Sequence, residues 1–381
     1  MGSLRLLIKN VLRNKRRTFL TVSSIAVSLF LVATLETVLT ELQNPPETPD
    51  SALRLITRHQ ISLFNILPKS QRAEIEEMEG VEAVIGTMWF GGVYKEPSNF
   101  FANFATDTDQ FFQVYPDLII SKEEQEAFKT DRTGAIVGDN LAKRFDWKVG
   151  DRIFLKGSTF PVDVELTIRG VYSGGSDLGT TLYFQWEYFS ELMNNAGFVG
   201  TYTIRARTPE DVPRIVEQVD GAFRNSSYPT KTETERAFIL GFVSMLGDVQ
   251  LFITSIVSVV VFTIMLVAAN TMAMSIRERV REIGVLKALG FRSSQVLTML
   301  VGESVLLSLV GALLGSWSAR FLFGSVDMAL LTSGFIQRFY VTPGTLILCL
   351  LIGLFVGICS ASVPAWRASQ RPVVDALRRV A

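Results

Sequence analysis

Four long apolar runs constrain this chain more than any other feature: Thr18–Leu39, Val249–Met274, Val296–Phe323 and Pro343–Val363. Each is long enough to cross the hydrocarbon core of a bilayer, which takes about 20 residues of helix. Lipid offers no water to open peptide groups, so each run must close its backbone bonds internally as a helix. The charges inside the runs are Glu36, Glu303 and Arg320. Glu36 and Arg320 lie near run ends, where such side chains reach the interface. Glu303 lies well inside its run; it is a functional candidate by position, and pairing with the basic loop nearby is the expected role. The basic start of the first run also admits a signal peptide. Against that reading, the apolar stretch exceeds the usual 7–15 or so residues of a signal core, and no A-x-A site follows.

Lysine and arginine set the orientation. Arg5, Lys9, Arg13, Lys15, Arg16 and Arg17 precede the first run; Arg277, Arg279, Arg281, Lys287 and Arg292 separate the second and third; Arg367, Arg371, Arg378 and Arg379 follow the fourth. The connection between the third and fourth runs carries Arg338 alone. One topology satisfies this pattern. It has a cytoplasmic entry helix at 1–17, spans at 18–40, 248–274, 295–323 and 343–364, a cytoplasmic loop at 275–294, a short external loop at 324–342 and a cytoplasmic tail at 365–381. Residues 41–247 are then outside, in a bacterial periplasm or its equivalent, with the chain multi-pass in the inner membrane. The fold class expected is an integral membrane α-helical protein with a large mixed α+β extracytoplasmic domain between the first and second spans.

That domain opens on a proline-rich linker, NPPETPD at 44–50. Alternating stretches predict strands at 81–90, 101–108, 134–139, 151–157, 162–173 and 200–207, and helices are expected at 69–79, 121–128, 140–146 and 209–223. Interleaved strands and helices point to an α+β or mixed architecture. Phenylalanines at 100, 101, 104, 111 and 112 fit a core at strand spacing, with an apolar groove as the alternative.

Several function classes drop out. The formal net charge is zero, giving no reason to expect nucleic-acid binding. The single histidine, His59, excludes a multi-histidine metal site and reads as a surface residue. Cys349 and Cys359 share one apolar run about 15 Å apart along a helix, too far for a disulfide. No G-x-S-x-G or HExxH is present, and the glycine-rich SGGS at 173–176 lacks the GK[ST] of a phosphate loop. No catalytic, cofactor or metal residues are therefore assigned; if ATP drives this protein, another chain must bind it.

The loop SIRERVREIGVLKALGF, 275–291, is the candidate functional element. Read as a helix, it puts Ile276, Val280, Ile283 and Leu286 on one face, with Arg277, Arg281 and Lys287 off it. Gly284 can loosen the helix, Gly290 suits a C-cap, and Ser293 or Ser294 can cap the next span. An apolar face rimmed by charge at a membrane surface suits docking into a partner's groove; the plainer alternative is a solvated positive-inside loop. Glu278 and Glu282 could pair with the loop's arginines, with a partner, or along one solvated helix.

RERVREIGVLKALGFRSSQV resembles the cytoplasmic loop of the MacB/FtsX-like permeases of ABC transporters. VPAWRASQRPVVDALR (363–378), LRLLIKNVLRNKRRTFLT (4–21) and VGDNLAKRFDWKVGDRIFL (137–155) resemble that family's tail, entry helix and outer-domain stretch. The resemblance spans most of the chain; no motif could be placed between 51 and 120. It implies a dimer of permease subunits, homo- or heterodimeric, in membrane lipid on two ATPase subunits, with a periplasmic adaptor or a hydrolase as a possible further partner. The ATPase-coupling residues it implies are Arg277, Arg279, Arg281, Glu282, Ile283, Gly284, Val285, Leu286, Lys287, Ala288, Leu289 and Gly290. The function it implies is ATP-driven export or extraction of a lipoprotein, lipid, peptide or drug-like compound. An FtsX-like role, activating cell-wall hydrolases outside, is the alternative. A secondary transporter is disfavoured by the scarcity of carboxylates within the spans. Gly311/Gly315 and Gly353/Gly357 have the small-xxx-small spacing that lets helices approach closely, within one subunit or between two.

Overall fold

The computed structural model describes residues 13–45, 47–97, 99, 101–176, 179–245, 247–325 and 340–370. The expected entry helix is therefore described only from residue 13, and the loop at 326–339 and the tail beyond 370 lie outside the described residues. Helix α1 (Lys15–Gln43) leads into a domain built from β1 (Arg54–His59), β2 (Leu67–Pro68), α2 (Gln71–Glu76), β3 (Val81–Trp89), β4 (Ala102–Thr106), α3 (Phe111–Val114), β5 (Leu118–Ile119), α4 (Lys122–Thr130), β6 (Gly134–Gly138) and α5 (Asp139–Phe145). It continues through β7 (Arg152–Leu155), β8 (Val164–Gly174), β9 (Thr181–Gln185), α6 (Trp186–Leu192), β10 (Phe198–Val199), β11 (Thr201–Ala206), α7 (Asp211–Phe223), β12 (Thr230–Thr234) and α8 (Glu235–Met245). Helices α9 (Val249–Glu278), α10 (Val280–Ala288), α11 (Ser293–Ser325) and α12 (Pro343–Gln370) follow. The chain divides into a helical unit, holding α1 and α9–α12, and the intervening domain.

In the domain, ten strands form one mixed sheet, ordered β12-β1-β11-β3-β4-β9-β6-β8-β5, with β7 also pairing β8; β2 and β10 form a separate pair. The β4–β9 and β6–β8 pairs are parallel and the others antiparallel. Side chains alternate across a strand, and here both faces are covered. On β3, Val84 and Met88 enter one core cluster while Ala83 and Ile85 enter another. On β9, Leu182 and Phe184 divide in the same way from Tyr183.

The six expected strands and four expected helices each have a counterpart here. Phe101 and Phe111 are buried, and Phe104 and Phe112 pack against the Phe111 cluster, so the groove reading gives way to core; Phe100 lies outside the described residues. His59 corrects another expectation. It is buried at the end of β1, paired opposite Thr230 of β12, and its Nδ1 accepts the Ile61 N–H at 3.2 Å.

α1, α9, α11 and α12 are each long and apolar enough to cross a membrane. Ile25, Leu29, Val32, Ile253, Val257, Ala312 and Val356 pack inward, while Phe19, Val27, Phe252, Phe262, Trp317 and Phe355 point outward, an apolar exterior suited to lipid. All four singled-out glycines lie at crossings within this one chain. A Cβ on Gly311 would stand 2.7 Å from Ile25 Cγ2, and one on Gly315 only 2.3 Å from the Ala26 carbonyl oxygen, so α1 rides against α11 there. A Cβ on Gly353 would meet Ala312 at 2.8 Å and one on Gly357 would meet Val305 Cα at 2.7 Å, where α12 crosses α11. Gly315→Leu is accordingly expected to force α1 from α11 and cost about 1–3 kcal/mol by overpacking. The thermal midpoint of the detergent-solubilised protein should fall. Gly324→Leu, at a position with no neighbour within 4 Å, should leave it unchanged.

Candidate functional site

The hairpin between α9 and α11 is built around a break at Arg279. α9 runs unbroken for 30 residues to Glu278. Arg279 then leaves helical geometry (φ −109°, ψ 14°), and α10 starts one residue later. The break therefore sits at Arg279, while Gly284 lies buried inside α10. The physical cause is an ion pair. Arg279 is 6% exposed, and its Nη1 donates to both carboxylate oxygens of Glu303 on α11, at 3.1 and 2.9 Å. Glu303, 4% exposed, thus has a structural partner, as its place near the basic loop suggested. A buried charge persists only when it is paired and hydrogen-bonded.

Three further contacts hold the hairpin. Lys287 Nζ donates to the Ser369 carbonyl oxygen at 2.8 Å, next to the last described residue of α12. Arg13 pairs with Glu282 and Arg17 with Glu278, each at 2.5 Å, and Arg17 also donates to Ser275 Oγ at 2.9 Å. The two glutamates are therefore held by α1 and the residues just before it rather than by the loop's own arginines. Arg13–Glu282 is about half exposed, a class of pair that contributes little to stability.

α10 ends in a Schellman motif. Gly290 is left-handed (φ +94°), its N–H donates to Lys287 O at 3.0 Å, and Phe291 N–H donates to Leu286 O at 3.1 Å. At the start of α11, Arg292 N–H donates to the Gln295 side chain at 2.9 Å, and among the described hydrogen bonds none is accepted by the Ser293 or Ser294 hydroxyl from a backbone N–H.

The hairpin's faces differ from the sequence expectation. Ile276 and Ile283, on the face expected to meet a partner, are buried against Met272, Val296, Leu300, Ala361 and Ala365. Val280, Leu286 and Lys287 are half-buried. Outward lie Arg277, Arg281, Glu282, Val285, Ala288, Leu289 and Gly290, with Leu289 73% exposed and Val285 and Phe291 exposed beside it. The outward surface is thus a small apolar patch with arginines at its edge. Sequence reasoning missed Arg13, Arg17 and Ser369 as partners of the loop, although the two arginines lie in a basic stretch it had noted.

The description of the MacB-like periplasmic core domain matches residues 18–222, more than half of the chain, and that of the FtsX-like permease C-terminal region matches residues 254–373, which contain the hairpin. The chain belongs to the MacB/FtsX-like permeases of ABC transporters. An uncharacterized ABC transporter permease of Methanocaldococcus jannaschii is 22% identical over 97% of this chain and 96% of its own length. The pyoverdine export ATP-binding/permease protein PvdT of Pseudomonas fluorescens is 23% identical over 87% of this chain. This MacB/FtsX-like chain spans about half the length of PvdT (49%). The periplasmic region of MacB from Actinobacillus actinomycetemcomitans aligns over 50% of this chain and 92% of its own, with 10% identity and a TM-score of 0.37.

Proposed function

We propose that this permease transmits the motion of a partner ATPase, through α10 and the unbroken α9, to the domain between α1 and α9. Two permease subunits sit on an ATPase dimer in the bacterial inner membrane. Both termini and the 275–294 loop face the cytoplasm, residues 41–247 face the periplasm, and ATP with Mg is held by the partner. The cargo is a lipoprotein, lipid, peptide or drug-like compound handled on the outer side; relatives named for export support export over regulation.

One observation carries this reading: α10 is fixed on its inner side to α11 and α12 and leaves its outer face apolar and exposed. A push on Leu289 would pass through a pinned element into a helix of about 45 Å, at 1.5 Å per residue. Among the described residues, the fully buried polar side chains of the bundle are serines, threonines and the Arg279–Glu303 pair, with Ser304 and Ser360 hydroxyls bonded at 3.1 Å across α11 and α12. That lining suits movement transmitted by packed helices better than a wet path.

The test is reconstitution in nanodiscs with and without an ATP-binding subunit of this transporter class. ATP hydrolysis is expected only with that subunit and should respond to cargo added on the outer-domain side. Hydrolysis by this chain alone, or nucleotide-independent transport in vesicles containing only this chain, would contradict the reading. Capture of a cell-wall hydrolase by the outer domain would shift the role from export to regulation.

A further inference from the structure

The domain contains a second buried ion cluster, away from the hairpin and unused by the reading above. Arg54, the first residue of β1, has no exposed surface. Its Nη1 and Nη2 meet the two Asp117 oxygens at 2.7 and 3.1 Å, its Nε donates to Glu235 at 2.5 Å, and Nη2 also donates to Ser176 Oγ at 3.1 Å. The Tyr115 ring lies 4.8 Å from the guanidinium carbon. Ser176 Oγ donates in turn to the other Glu235 oxygen, and Thr48 Oγ1 donates to Asp117 at 2.7 Å. Burial would raise the Asp117 carboxyl, but the hydrogen bonds and charge of Arg54, with the Thr48 hydroxyl, outweigh it and hold the group below its ordinary value. The carboxylate therefore stays ionised and acceptor-only at neutral pH.

The cluster's place in the chain is what matters. Thr48 lies on the segment leaving α1, and Glu235 is the first residue of α8, the helix that leads into α9. Glu235 thus meets the Arg54 guanidinium directly and Thr48 reaches it through Asp117, and the same guanidinium also holds the 115–117 segment and the turn after β8. Four of its N–H groups are directed in a rigid planar fork, a geometry lysine does not reproduce. The chain has no stiffer tie between α8 and the sheet among the described ion pairs, because the remaining link from α8 to the linker, Arg236–Glu47, is about half exposed.

We infer that Arg54, with Glu235 and Asp117, is the clamp through which displacement of α9 enters the sheet; these are positioning residues for the transmission proposed above, and the inference rests on that reading. Glu235 is the arm to cut. Removing it leaves Arg54 and Asp117 as a balanced pair, so no charge is stranded and the domain keeps its fold.

Hydrogen exchange on the full chain in nanodiscs, bound to its ATPase with and without ATP, tests the clamp. In Glu235→Ala, exchange of the α8 amides should rise about tenfold, the scale of one lost charge-assisted hydrogen bond. The ATP-dependent change in exchange across residues 54–59 and 115–119, present in the unsubstituted chain, should fall by more than half, with ATPase co-purification unchanged. Glu235→Asp, which keeps the charge, should retain most of that response, a rescue that a purely structural role would not require. Unchanged α8 exchange, or a full ATP response in Glu235→Ala, overturns the clamp. A bound ATPase with no ATP-dependent change even in the unsubstituted chain overturns the transmission reading itself, while the α8 exchange still reports whether the tie exists.

Discussion

Leu289→Asp is expected to abolish co-purification of the ATPase while leaving the permease folded. Leu289 is the most exposed large apolar side chain of the hairpin, and neither its own helix nor its neighbours bury it. A charge there disturbs no internal contact, so the thermal midpoint should stay within the small range of surface substitutions. At an interface the same charge must be desolvated against an apolar groove. Hot-spot losses of that kind run to about 2–4 kcal/mol, roughly 30- to 1,000-fold in affinity. Val285→Asp, one turn back on the same face, should behave alike. Ile283→Asp differs in kind: it buries a carboxylate among Met272, Val296 and Leu300 and should lower stability before it affects docking. Association read by pull-down and stability read by thermal unfolding should therefore separate the two faces of α10.

Arg279→Ala should be the most destabilising single change at the hairpin. It leaves Glu303 almost fully buried without its cation, and breaking a buried pair from one side costs about 3–5 kcal/mol. The helix break would lose its cause as well, since Arg279 leaves helical geometry where its side chain reaches α11. Arg279→Met combined with Glu303→Leu removes both charges and should recover most of the thermal midpoint, because an apolar pair of similar volume is often neutral or better. If the double variant is stable yet couples ATP hydrolysis poorly, the pair serves the angle of α10 rather than stability. A single Arg279→Ala variant as stable as the parent would show that Glu303 finds another partner.

The membrane helices were legible because lipid demands an uninterrupted apolar helix, and nothing else in a sequence looks like one. Strands β3, β4, β7, β8 and β11 were legible from full or partial alternation, and β6 (GAIVG), buried along its whole length, as a short apolar run bounded by glycines. β1, β9 and β12 were not, for different reasons. β9 (TLYFQ) is buried along its whole length, so it shows no period. β12 (TKTET) is an edge strand of polar residues. β1 (RLITRH) opens on an arginine and ends on a histidine that are both buried, a placement that depends on Asp117, Glu235 and β12, all far along the chain. The same limit applied at the hairpin. Gly290 could be read as a helix end from local chemistry alone. Arg277, Arg279 and Arg281 look equivalent in sequence, and only the approach of α11 selects Arg279 for burial. Which apolar face of the loop turns inward likewise depends on α11 and α12.

The central claim is that the outer face of α10 is held by an ATP-binding subunit on the cytoplasmic side. A photocrosslinking amino acid placed at position 289 in cells measures this most directly. The account predicts an adduct with the ATPase, absent from the same probe at exposed Phe64 of the outer domain. It also predicts that a thiol placed at 289, with Cys349 and Cys359 replaced by alanine, resists a membrane-impermeant reagent added outside. Labelling of that thiol from outside, with no adduct to an ATPase, would contradict it.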